Sequence, residues 1–169
     1  MTMRLHSIRI EGRDEIAWPP RNLLQTLIHS FGAQNGPTFV VLTGPNDQYV
    51  QAAGSADRYI LESRDTYGEG FQHLRAGRPG LPKAGKTTVF YRWQCTKGVH
   101  PPLGCPLEVD ECCVLSLDDV KAALLHYART GQRAAAFAWH DVTEEQRSKN
   151  DTPDDDDEIE DITPGGAGA

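Results

Sequence analysis

Residues 39–64 constrain the fold of this chain more than any other stretch, because they spell three extended runs separated by two stops. Phe39-Val40-Val41-Leu42-Thr43 is β-branched and aromatic, is ended by Gly44-Pro45-Asn46-Asp47, and is followed by a second run, Gln48-Tyr49-Val50-Gln51-Ala52. After the stop Gly54-Ser55-Ala56-Asp57 comes Arg58-Tyr59-Ile60-Leu61-Glu62-Ser63-Arg64, in which Arg58, Glu62 and Arg64 are spaced to share one strand face. Strands joined by such short stops form an antiparallel meander. A meander apolar on one face and wet on the other needs a cover of helices.

Two amphipathic segments supply that cover. Trp18-Pro19-Pro20 opens a helix, since proline is tolerated in a first turn, and Leu23, Leu24, Leu27, Ile28 and Phe31 recur at helical spacing before Gly32. Ser116-Leu117-Asp118-Asp119 has the form of a capping box with Asp for Glu; Leu117, Val120, Leu124 and Ala128 mark one face, and Gly131 stops the helix. Short strands are predicted at 3–11 (an edge), 71–75 and 112–115, a strand inside the main sheet at 87–95, and a last extended segment at 134–139. Residues 96–111, with three prolines and two glycines counted to Glu111, read as a long loop. The expected fold is α+β: one domain over 1–145, an antiparallel β-sheet of about five to seven strands containing 39–43, 48–53, 58–64 and 87–95, and two main helices, near 20–31 and 117–130, packed on one face. Residues 146–169 are expected to be an acidic disordered tail.

The net charge of −7 is local to that tail: residues 151–161 hold eight acidic side chains and no basic one, leaving 16 acidic residues against 17 Lys and Arg in 1–150. A near-neutral body disfavours direct nucleic-acid binding. The first residues lack the apolar run of a signal peptide and no stretch has the length of a membrane span, so a cytoplasmic protein without a membrane partner is expected.

Gly80-Leu81-Pro82-Lys83-Ala84-Gly85-Lys86-Thr87 fits the phosphate-loop pattern at every position, but the chemistry needs a helix beginning at the lysine, and Thr87 opens a strand-like run. A glycine-rich turn is the expectation. Cys95, Cys105, Cys112, Cys113 and His100 fall within nineteen residues and are the candidates for a zinc site. Against zinc, no C-x-x-C pair occurs, and adjacent Cys112 and Cys113 in a strand would point to opposite faces. Reduced thiols without cofactor are expected, with zinc and a Cys95–Cys105 disulfide as the alternatives. The six histidines are scattered, and neither a G-x-S-x-G elbow nor a zinc-deaminase signature is present, so no catalytic residue and no enzyme activity are expected.

The order helix, meander with Gln48-Tyr49-Val50-Gln51 and Arg58-Tyr59-Ile60-Leu61-Glu62, strand, helix ending Tyr127-Ala128-Arg129-Thr130-Gly131, then Phe137-Ala138-Trp139-His140, resembles the first-numbered immunity-protein family of bacterial polymorphic-toxin systems over about residues 16–141. Gly131 and Trp139 stand where such proteins keep a glycine and a tryptophan after the closing helix. The cysteine- and proline-rich segment 95–113 and the acidic tail depart from that pattern. The resemblance implies a non-enzymatic immunity protein that neutralises a cognate secreted toxin domain, such as a nucleic-acid-acting deaminase or nuclease, by blocking its active site. The alternatives are a zinc- or thiol-braced interaction module and a phosphate-loop nucleotide-binding protein. Aromatic and arginine side chains dominate protein interfaces, which makes Tyr49, Arg58, Tyr67 and Phe71 the candidate contacts, although each equally fits a core or sheet-surface place. Asp154, Asp155, Asp156 and Asp157 are candidates for steering a basic partner.

Overall fold

The computed structural model describes residues 5–92 and 104–150. In chain order its elements are β1 (Ser7–Ile10), β2 (Ile16–Ala17), α1 (Arg21–Ser30), β3 (Phe39–Thr43), β4 (Tyr49–Ser55), β5 (Arg58–Tyr67), β6 (Gly70–Gly77), β7 (Lys86–Tyr91), β8 (Cys105–Asp110), α2 (Leu117–Thr130), β9 (Ala138–Asp141) and α3 (Thr143–Asn150), with 3-10 turns at Pro45–Asp47 and Glu111–Cys113. Seven strands make one antiparallel sheet in the order β2-β1-β3-β4-β5-β6-β9, and β7 pairs with β8 in a separate two-stranded sheet. The architecture is α+β, and the meander of 39–64 is its centre. β4 and β5 join through Ala56 and Asp57, both at positive φ (49° and 63°), the backbone that matches the twist of a tight hairpin.

Alternation along the strands sends Val40, Leu42, Val50, Ala52, Tyr59 and Leu61 to one face, where Leu24, Leu27 and Ile28 of α1 and Val120, Leu124 and Tyr127 of α2 close the main core. Burying a leucine such as Leu124 fully contributes about 1.5–3 kcal/mol. The ends of α2 follow the sequence signals: Ser116 Oγ accepts from Asp119 N–H at 3.1 Å, and Gly131 at φ 69° returns its N–H to Tyr127 O at 2.7 Å.

Several expectations are corrected. The predicted strand 87–95 is not inside the main sheet. β6 takes β9 as its outer neighbour, and β7, paired with β8, lies over the other face of the sheet instead. That face is therefore not simply wet. Phe39, Ala53 and Ile60 point into it and pack with Val89 and Val109 in a second core. β8 occupies the predicted loop, and its Pro106 is tolerated because a two-stranded ribbon has open edges. Residues 112–115 are not a strand: Glu111–Cys113 is a 3-10 turn, and only Leu115 makes a bridge, to Tyr59. The predicted edge at 3–11 has β2 outside it. α3 carries helix across the boundary drawn at 145, while residues 151–169 lie outside those described.

Candidate functional site

The β5–β6 hairpin is longer than its neighbours. β4 follows β5 only to the pair Tyr49↔Arg64, and β9 follows β6 only to Leu74↔Asp141. The pairs Asp65↔Gln72, Thr66↔Phe71 and Tyr67↔Gly70 thus continue beyond both flanking strands, as a finger of about 10 Å at the usual strand rise. Gly68 turns it at φ 55°, which strains any residue with a Cβ. Tyr67 at the tip is 61% exposed. Behind it the guanidinium of Arg64 lies 4.3 Å from the centre of the Phe71 ring, and Thr66 Oγ1 donates to Asn46 O at 2.5 Å, bracing the finger against the β3–β4 connection. A shallow cleft beside it is lined by Asn46, Asp47, Arg64, Thr66, Glu69 and Phe71, with Asp47 and Glu69 exposed.

The root of the finger is held by buried charge. Glu62, His73 and Arg75 share one face through the pairings Glu62↔Arg75 and Arg64↔His73, and each is almost fully buried. The Glu62 carboxylate accepts from Arg75 Nε at 2.8 Å and Gln51 Nε2 at 2.7 Å, and lies 3.1 Å from His73 Nε2. Burial alone would push its pKa up, but the His73 hydrogen bond and the Arg75 charge outweigh burial and hold it at about 2. Arg75 Nη1 also donates to Glu145 of α3 at 3.0 Å, and His73 N–H donates to Thr143 Oγ1 at 3.0 Å, so α3 is fastened over this network. Tyr49 stands edge-on to His73 with centroids 6.0 Å apart, and burial raises its phenol pKa.

At the other end of β6, Cys112, Cys113 and His140 bring their ligand atoms within 4.8 Å of one another. Both thiols are buried, with Sγ atoms 3.8 Å apart, and burial, with Cys112 alongside, pushes the Cys113 thiol up to about 12. The 3-10 turn is what aims both side chains the same way. His140 Nε2 is buried and has no hydrogen-bond partner among the described residues, a condition that costs about 1–3 kcal/mol.

Of the residues singled out in the sequence, Tyr67 and Phe71 lie on the finger, on opposite strand faces, and Tyr49 lies at its root against His73. Arg58 does not: nine residues back along β5, about 30 Å away by strand rise, it donates to Thr87 Oγ1 in the seam with β7. Cys105 opens β8 at the end opposite the 3-10 turn. Cys95 and Asp154 to Asp157 lie outside the described residues. Lys86 of the phosphate-loop pattern starts β7 and pairs with Asp110 at 2.8 Å, so no helix N-terminus faces a phosphate there. Sequence reasoning missed Arg64, whose only signal was its spacing two residues from Glu62. It also missed His140 as a neighbour of the cysteines, for which spacing carried no signal. No protein-family model, no curated protein and no solved structure matches the chain.

Proposed function

We propose that the protein is a non-enzymatic inhibitor that binds a cognate secreted toxin domain in the cytoplasm, entering its active-site cleft with the β5–β6 finger. The observation that carries this reading is Tyr67, exposed at the tip of a projecting hairpin whose root is locked by buried ions and whose sides are braced by Arg64 on Phe71. A rigid aromatic tip loses little conformational freedom on docking, which is what a tight anchor requires. Asp47 and Glu69 beside it suit a cleft that binds nucleic acid and is therefore basic. The resemblance of the landmarks Gly131 and Trp139 to the immunity family supports the same reading. In this scheme Asp154, Asp155, Asp156 and Asp157 speed association without supplying most of the affinity, because exposed charges are screened over about 10 Å at ordinary salt.

The test is capture from a lysate of the native host with the full chain as bait, followed by co-expression of the captured toxin domain. Wild type should restore growth, and Tyr67→Ala with Phe71→Ala should weaken binding by at least about 30-fold. Unchanged binding by that double variant would move the contact elsewhere, for instance to the groove between α1 and α2 lined by Leu24, Ala122, Leu125 and Ala128. Failure of the wild type to protect would refute inhibition itself.

A further inference from the structure

The Cys112, Cys113 and His140 cluster is remote from the finger and plays no part in the inhibitor reading. Its three donors come from two segments held together by backbone bonds that do not depend on a metal. Cys112 O accepts from Arg78 N–H at 2.8 Å, Glu111 N–H donates to Gly85 O at 3.3 Å, and β9 is fixed beside β6 by Arg75↔His140 and Gly77↔Ala138. A cradle is built around the imidazole. A Cβ on Gly77 would stand 2.6 Å from His140 Nε2, so the ring occupies space that only glycine leaves open.

The spacing has a chemical meaning. Two thiolates at about 2.3 Å from one tetrahedral ion lie about 3.8 Å apart, and the two thiols stand at 3.8 Å. The His140 nitrogen needs an approach of about 1 Å to complete the set, well within side-chain adjustment. Two sulfurs and one imidazole are a soft donor set, suited to zinc and not to calcium or magnesium. His140 as a residue is only partly buried, while its Nε2 and both thiols are enclosed, so the ion would be shielded from solvent once bound.

We propose that Cys112, Cys113 and His140 bind one Zn²⁺ ion, with a fourth position open to water, and that the ion staples the turn before α2 to the edge strand β9. Binding displaces the thiol protons to solvent and leaves a site of two anionic sulfurs and a neutral imidazole balancing the ion's charge. The ion joins the two-stranded layer to the edge of the main sheet, so its effect is on stability first.

The experiment uses the full, untagged chain, kept reduced, stripped with chelator and titrated with Zn²⁺ in competition with a chromophoric chelator. One ion per chain is expected. Cys112→Ser, Cys113→Ser and His140→Gln should each weaken binding at least about 100-fold, and Cys105→Ser should leave it unchanged. Saturating Zn²⁺ should raise the thermal midpoint of the wild type by about 5–10 °C. Should a variant fail to fold, the wild type loaded with Co²⁺ still decides: a tetrahedral spectrum with thiolate charge-transfer intensity supports the site, and an octahedral spectrum without it overturns the proposal. Absence of stoichiometric binding, or binding that survives both Cys113→Ser and His140→Gln, overturns it as well.

Discussion

On the face of the sheet beneath α1 and α2, Val40, Leu42, Tyr59 and Leu61 meet Leu27, Ile28, Val120 and Leu124 in one aliphatic and aromatic layer. The opposite face is divided. One half, Phe39, Ala53 and Ile60, packs on the β7–β8 ribbon; the other half buries Glu62, His73 and Arg75 under α3. The first face is stabilised by area removed from water and tolerates rearrangement of similar volumes. The second depends on geometry, because each buried ion is compensated only by partners within hydrogen-bond distance. Rigidity is what the second arrangement supplies to the finger, since Glu62 and Arg75 bond across the two strands that continue into it.

The sharpest way to break this contrast is to remove one ion and one aliphatic side chain separately. Arg75→Leu strands Glu62 in the interior and should cost about 3–5 kcal/mol in urea unfolding. Leu124→Ala on the helical face should cost about 3 kcal/mol. A cost for Arg75→Leu below that of an ordinary surface substitution would show that the ionic half contributes nothing.

Acid sharpens the contrast next. The folded pKa of Glu62, about 2, lies below its ordinary 4.5, so the ionised folded state is favoured at neutral pH. Its contribution, roughly 3 kcal/mol, is complete above about pH 5 and is lost as the pH falls toward 2. Unfolding free energy followed from pH 6 to pH 2 should therefore fall more steeply in wild type than in Glu62→Gln. Parallel curves would remove Glu62 as the cause.

Smaller effects belong to the edges. Ser116→Ala deletes the cap of α2 and should cost about 1 kcal/mol in thermal unfolding, without touching either layer. Tyr67→Ala should change stability by less than about 0.5 kcal/mol, because the side chain is exposed; a loss of the proposed toxin binding in that variant would then not arise from unfolding.

The helical face was legible because its code is local: alternation at 39–64, the 3.6-residue spacing of Leu24, Leu27 and Ile28, and Ser116 and Gly131 at the ends of α2 all act within a few residues. The finger was legible only in part. Tyr67 and Phe71 were identifiable as aromatics in and after a turn, but their exposure and bracing depend on where β4 and β9 stop. That Arg58 stands apart from the finger, against Thr87 of β7, was not legible either, as strand spacing gives a face and not the neighbour that covers it.

Sequence alone therefore determined the strands of the meander, both main helices and the absence of a helix at Lys86, since propensity, capping and periodicity are properties of neighbouring residues. Only the tertiary structure decided that β7 leaves the main sheet, that Glu62 is buried against Arg75, and that a 3-10 turn sets Cys112 and Cys113 beside His140. Those outcomes follow from competition among segments distant in the chain for the same sheet edge and the same uncovered face, and that competition leaves no periodic mark in the sequence.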